Sequence, residues 1–124
     1  MITKFVEIWD AKKDNVREFL SKLERIDYAD IVTAVVTILA QDSSLDPKRI
    51  THISDNDYQG TDLFVLQTKW GSRYYYVAVS YGSCSSCDTI QGIYDDPEPT
   101  RLDSFMTLAL HILQSIKEVS LLGD

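Results

Sequence analysis

The chain reads as an α+β domain: a three-stranded antiparallel meander with about three helices packed on one face, in the order α-α-β-β-β-α. Three observations predict this. Apolar residues recur at helical spacing in the first and last thirds, three β-rich runs lie between them, and Gly71-Ser72 alone separates the last two runs.

In the first segment Phe5, Ile8, Trp9, Val16, Phe19, Leu20, Leu23 and Ile26 draw one stripe on a helix. The gap at Lys12 and the pair Asp14-Asn15 leave a break open there, with Asp10 or Asp14 as N-cap of a second piece. After Asp27, β-branched content over 28–40 argues strand. Its length and the Ile31, Val32, Val35, Val36, Leu39 spacing argue helix, and the prediction is a helix central in the core. Residues 41–49 read as a connector, because Pro47 keeps Asp46 out of the helical region.

Strands are predicted over 49–54, 61–70 and 73–81, with Gly71-Ser72 as a two-residue type II′ turn. That turn pairs Trp70 with Arg73, which sets Leu66 opposite Val77 and Phe64 opposite Val79. One face then carries Phe64, Leu66, Trp70, Val77 and Val79 and is the buried one; the other pairs Lys69 with Tyr74, Gln67 with Tyr76 and Leu63 with Ser80. Residues 88–94 form a short helical turn or none, and Asp95-Asp96-Pro97-Glu98-Pro99 interrupts regular structure. Thr100 or Asp103 then caps a last helix with the stripe Leu102, Phe105, Met106, Ala109, Leu110, Leu113, Ile116 and Val119.

One domain over 1–124 is expected, with 44% hydrophobic and 25% charged residues, the ordinary globular balance. A net charge of -7 repels phosphate backbones and anionic lipid, so direct nucleic-acid and membrane binding are disfavoured. Charges follow Met1 too soon for a signal-peptide core, and the longest apolar run, 31–40, is far short of the ~20 residues of a membrane span. A cytoplasmic location follows as the expectation. In that reducing setting Cys84 and Cys87 read as free thiols, metal ligands or a redox pair before a structural disulfide.

Both cysteines lie in the run Tyr81-Gly82-Ser83-Cys84-Ser85-Ser86-Cys87-Asp88. A helix opening after this loop would lower a thiol pKa, an arrangement that resembles the thioredoxin site over four residues only. The antiparallel hairpin before it and Asp88 beside Cys87 both oppose that reading. Zinc is the one cofactor the residues suggest. A closed tetrahedral site would need Cys84, Cys87, His52 and His111 together, or ligands shared across a homodimer. Asp55 to Asp62 resembles the opening of an EF-hand calcium loop but has Leu66 where the closing glutamate belongs, so an Asx-rich turn is expected. No Gly-rich phosphate loop, nucleophile elbow or His-Glu-x-x-His pair is present, so no catalytic residue is assigned and an enzyme is the weaker reading.

The hairpin face predicted to meet solvent presents Tyr74 and Tyr76 with Lys69, while Tyr81, Tyr58, Tyr94 and Asp88 flank it from strand end and loops. Tyrosine supplies contact area with few rotors to freeze, which suits a protein partner. The string Tyr81 to Asp88, followed by Thr89-Ile90-Gln91, also resembles a Tyr-Gly-Ser-Cys-x-x-Cys-Asp motif of small uncharacterised phage and mobile-element proteins. The resemblance covers residues 81–91. It implies an accessory protein that binds and inhibits a host factor, such as a defence nuclease or polymerase, and carries over no catalytic residue. The functional expectation is therefore a small acidic protein-binding accessory or inhibitor, with a zinc-binding or dithiol redox module centred on Cys84 and Cys87 as the alternative.

Overall fold

The computed structural model describes residues 2–41, 43–53, 60–69, 73–81 and 89–119, the side chains of residues 2, 3, 60, 80 and 81 excepted. The class is α+β, as expected. Helices α1 (Ile2–Ser21) and α2 (Tyr28–Leu39) precede strands β1 (Leu45–Ile53), β2 (Gly60–Thr68) and β3 (Tyr74–Tyr81). Helices α3 (Thr89–Asp95) and α4 (Glu98–Gln114) follow, and a two-residue strand β4 (Lys117–Glu118) comes last.

Among the described residues the sheet has four strands in the order β1-β2-β3-β4, antiparallel throughout, where three were expected. The added strand pairs Glu118 with Tyr75 and Lys117 with Tyr76. Four helices replace about three, since 89–95 is helical and Ile90 and Ile93 are buried.

Helix α1 runs through Lys12 without the break left open by the sequence, because Phe5, Ile8, Trp9, Val16 and Leu20 share one buried stripe across that point. Helix α2 overrides the strand propensity of its valines and isoleucines. A capping box holds its start: Asp27 Oδ1 accepts the Asp30 N–H and Asp30 Oδ2 accepts the Asp27 N–H, both at 3.1 Å. With α1, α4 and β1 packed around it, α2 is buried on most of its circumference, so β-branched side chains fit there. Helix α4 starts at Glu98, earlier than the predicted Thr100 or Asp103; Pro97 is its N-cap and Pro99 falls in the first turn, where a missing N–H costs nothing.

Strand β1 begins at Leu45, not Arg49, so the expected connector is largely strand. Pro47 is tolerated because β1 is an edge strand and its register is irregular between Leu45 and Ile50. The β2–β3 register also differs from the prediction. Leu66 faces Tyr75 and Phe64 faces Val77, a displacement of two residues. Thr68 closes the hairpin: its N–H donates to the Arg73 carbonyl and its Oγ1 accepts the Arg73 N–H, each at 3.2 Å. The connection is therefore the four residues 69–72, of which Trp70, Gly71 and Ser72 lie outside the described residues.

A two-residue shift preserves the faces, because side chains alternate with period two. Phe64, Leu66, Tyr75, Val77 and Val79 are buried beneath the helices, and Phe5 of α1 meets Tyr75 edge to face at 6.2 Å. Every layer contributes to one contiguous core. No helix among the described residues is long and apolar enough to cross a membrane.

Candidate functional site

The helices cover only one side of the sheet. On the other side the registers bring Ile53, Leu63 and Ala78 into one row across β1, β2 and β3, and Thr51, Val65, Tyr76 and Lys117 into the next row across all four strands. Gln67 and Tyr74 form a third row, joined by a 3.3 Å hydrogen bond from Gln67 Nε2 to the Tyr74 hydroxyl. Ile53 is 52% exposed, Ala78 is exposed, and Leu63, Val65, Tyr74 and Tyr76 are half-buried. The result is an aliphatic and tyrosine surface fixed by two central strands whose reverse sides carry the buried Phe64, Leu66, Tyr75 and Val77.

Charge is distributed unevenly between the two sides. Among the described residues the rows named above contain no aspartate or glutamate. Asp62 and Glu118 stand in register with Val79 and Tyr75 on the helix side, and Asp46 precedes the β1 irregularity, where its carboxylate meets Arg49 at 3.4 Å. The remaining described acids sit on the helices and their connections. Lys117 is the one ionic side chain in the rows named above.

Tyr74 and Tyr76 are thus brought together as the sequence anticipates. Lys69 is placed just past β2, where its ammonium donates to the Ala40 carbonyl at the end of α2, 3.1 Å away. Tyr81 ends β3 opposite Gly60. Tyr58, Cys84, Cys87 and Asp88 lie outside the described residues. Tyr94, expected in a loop beside the face, belongs to α3 and bonds to Ile26 on the helix side.

The two histidines occupy different elements. His111 is exposed in the last turn of α4 and lines a shallow groove with Thr89, Ile93 and Thr107. His52 stacks on Phe64, with ring centroids 4.5 Å apart and planes 12° from parallel. Its Nε2 lies 3.2 Å from Asp62 Oδ1. That oxygen is shut off from solvent and accepts no aligned hydrogen bond, so the two groups are neighbours without a directed bond between them. No group of three or more metal-ligating side chains forms among the described residues.

Sequence reasoning missed three parts of this arrangement. The His52–Asp62 contact depends on the β1–β2 register, and no turn signal between those strands specified it. Lys117 joins the face only because β4 exists, and two charged residues carry no strand signal. Ile53 was legible as a strand residue, but its face was not. The chain matches no protein-family model, no curated protein and no solved structure.

Proposed function

We propose that this protein is a protein-binding accessory or inhibitor that contacts its partner through the open face of the β1-β2-β3-β4 sheet. The observation that carries the reading is a surface of Ile53, Leu63, Val65, Tyr74, Tyr76 and Ala78 left open by the helices, whose described rows hold no carboxylate, in a chain of net charge -7. Rigid tyrosines and aliphatics supply desolvation energy at such a patch, and the acidic remainder steers a basic partner toward it. The partner is accordingly a protein with an apolar surface bordered by lysine and arginine. The resemblance over residues 81–91 is consistent with a host factor as that partner. The test compares wild type, a Tyr74→Ser/Tyr76→Ser variant and a helix-side Lys13→Glu variant as baits in source-cell lysate. A partner retained by wild type and Lys13→Glu, lost with the tyrosines and released by salt supports the reading; equal retention by all three baits overturns it.

A second reading, a zinc-binding or dithiol redox module on Cys84 and Cys87, is favoured by His52. The Asp62 carboxylate stands 3.2 Å from His52 Nε2, and Nδ1 takes no part in that contact, which keeps it as the nitrogen a ligand would meet. Elemental analysis with thiol titration separates the readings. Stoichiometric zinc that is lost in His52→Gln, or a readily cycling disulfide, would favour the second.

A further inference from the structure

We infer that His52 and Asp62 form a zinc site on the β1–β2 seam that does not need Cys84 or Cys87. The inference goes beyond the partner-binding reading of the open face. It also uses a different ring nitrogen from the thiol reading: there a metal meets His52 Nδ1, whereas here it meets Nε2.

The strands bring the two groups together. His52 stands opposite Phe64 in the β1–β2 register, so Asp62, two residues before Phe64 on β2, is its diagonal neighbour on the helix side of the sheet. Both residues belong to strands, which position a site more firmly than loops do. The imidazole is held as well, because it stacks on the fully buried Phe64 with the two planes 12° from parallel.

The carboxylate is the feature that asks for a cation. Asp62 Oδ1 is shut off from solvent and accepts no hydrogen bond. An oxygen in that state has lost its hydration without compensation, and a bound ion restores what it lost. Distance and misalignment both fit such an ion. Zinc bonds of about 2.0–2.1 Å at the tetrahedral angle set two ligand atoms about 3.3 Å apart. His52 Nε2 and Asp62 Oδ1 are 3.2 Å apart. A hydrogen bond needs the oxygen near the axis of the ring nitrogen, whereas shared ligation needs it off that axis, where the metal itself stands. The observed pair meets the second condition and not the first. An ion reaches the pair past His52, whose side chain is 41% exposed, and rotation about the soft Asp62 Cβ–Cγ torsion turns an oxygen toward it.

The donor set selects the metal. One imidazole and one carboxylate suit zinc, while magnesium and calcium take oxygen ligands. Water completes the tetrahedron, so the site is weaker than a closed one of four protein ligands. A net charge of -7 concentrates divalent cations around the chain, and zinc bound here ties the end of the edge strand β1 to β2.

Titration of the full, reduced chain with zinc chloride at neutral pH tests this, read by calorimetry and by the ring proton and carbon resonances of the two histidines. One zinc per chain is expected, with the His52 resonances shifted, those of His111 unmoved, and no response to magnesium at the same concentration. His52→Gln and Asp62→Asn should each weaken binding at least about tenfold, the loss that even an outer-shell change brings to a metal site. Cys84→Ser/Cys87→Ser should bind as wild type does. His52 is exposed, so its substitution leaves folding intact even where Asp62→Asn does not. Wild type that takes up no zinc, or takes it up with the His52 resonances unmoved, overturns the inference, as does full affinity in His52→Gln or in folded Asp62→Asn. Zinc lost in the cysteine variant also overturns it and moves the metal to the thiol reading. None of these outcomes touches the sheet-face reading, which the Tyr74 and Tyr76 baits decide.

Discussion

The Tyr94 hydroxyl holds Ile26 at both backbone atoms: it accepts the Ile26 N–H at 2.6 Å and donates to the Ile26 carbonyl at 3.4 Å. Sixty-eight positions separate the two residues, so one phenol ties α3 to the chain between α1 and α2. Arg25 and Arg101 stand over its ring at 5.3 and 5.7 Å, and Arg101 also donates to the carbonyls of Tyr94 and Asp96. Tyr94→Phe keeps the ring and deletes both bonds. A loss of about 1–2 kcal/mol in urea denaturation is expected, from one unsatisfied amide and one lost donor. A change within ~0.5 kcal/mol, the surface range, would show that the hydroxyl holds nothing.

The two faces of β2 should respond differently to truncation. Leu66 is fully buried under the helices, and Leu66→Ala should cost about 2–4 kcal/mol. Val65, one residue away on the open face, should cost well under half of that when changed to alanine. Equal losses would mean that the open face is covered in solution, and analytical ultracentrifugation of the same samples would then identify a second copy as the cover.

Burial of Asp30 at the start of α2 raises its carboxyl pKa above the ordinary 3.8, against the lowering effect of its backbone hydrogen bond with Asp27; the nearby Asp27 charge adds to the rise. A carboxyl raised on folding favours the folded state while it is protonated. Its contribution is complete below the ordinary value and disappears as pH climbs through the folded one. Asp30→Asn keeps an acceptor for the Asp27 N–H and removes the titration. Stability of wild type relative to Asp30→Asn should therefore fall as pH rises from about 4 to 6, the side of the ordinary carboxylate range on which a raised group titrates. A difference that stays flat across chemical denaturations at those pH values would contradict the assignment.

Lys69 contributes to stability through the end of α2. Its ammonium meets the Ala40 carbonyl, where the helix leaves acceptors unpaired and the backbone dipole favours a cation. Lys69→Met should cost about 0.5–1.5 kcal/mol in thermal or urea unfolding. Partner capture through Tyr74 and Tyr76 should be retained in the same variant.

Where periodicity alone decides an element, the sequence is a sufficient guide. The stripe from Phe5 to Leu20 and that from Phe105 to Leu113 are buried as spaced, and the division of β2 and β3 into buried and open sides survives a wrong register, because an even displacement cannot exchange faces. Details set by tertiary partners are not legible in this way. The hairpin connection is lengthened by Thr68 bonding across to Arg73, which competes with the short Gly71-Ser72 turn. Lys117 and Glu118 become strand because α4 delivers them to the free edge of β3, where the Val119 N–H also reaches the Tyr74 carbonyl at 2.9 Å. Tyr74 and Tyr76 were foreseeable as surface residues, whereas the side of the sheet taken by Asp62 and Glu118 emerges only from their register with Val79 and Tyr75.

The irregular outer margin of β1 bears on how this protein can polymerise. Pro47 has no amide hydrogen to offer, Lys48 and Arg49 are charged and exposed, and the register slips between Leu45 and Ile50. Fibril-like stacking, in which each molecule hands a strand to the next, requires a receptive margin at both extremities of the sheet. With one extremity blunted, such a chain of additions stops after a single step, and crowding at high concentration should yield finite pairs in preference to filaments.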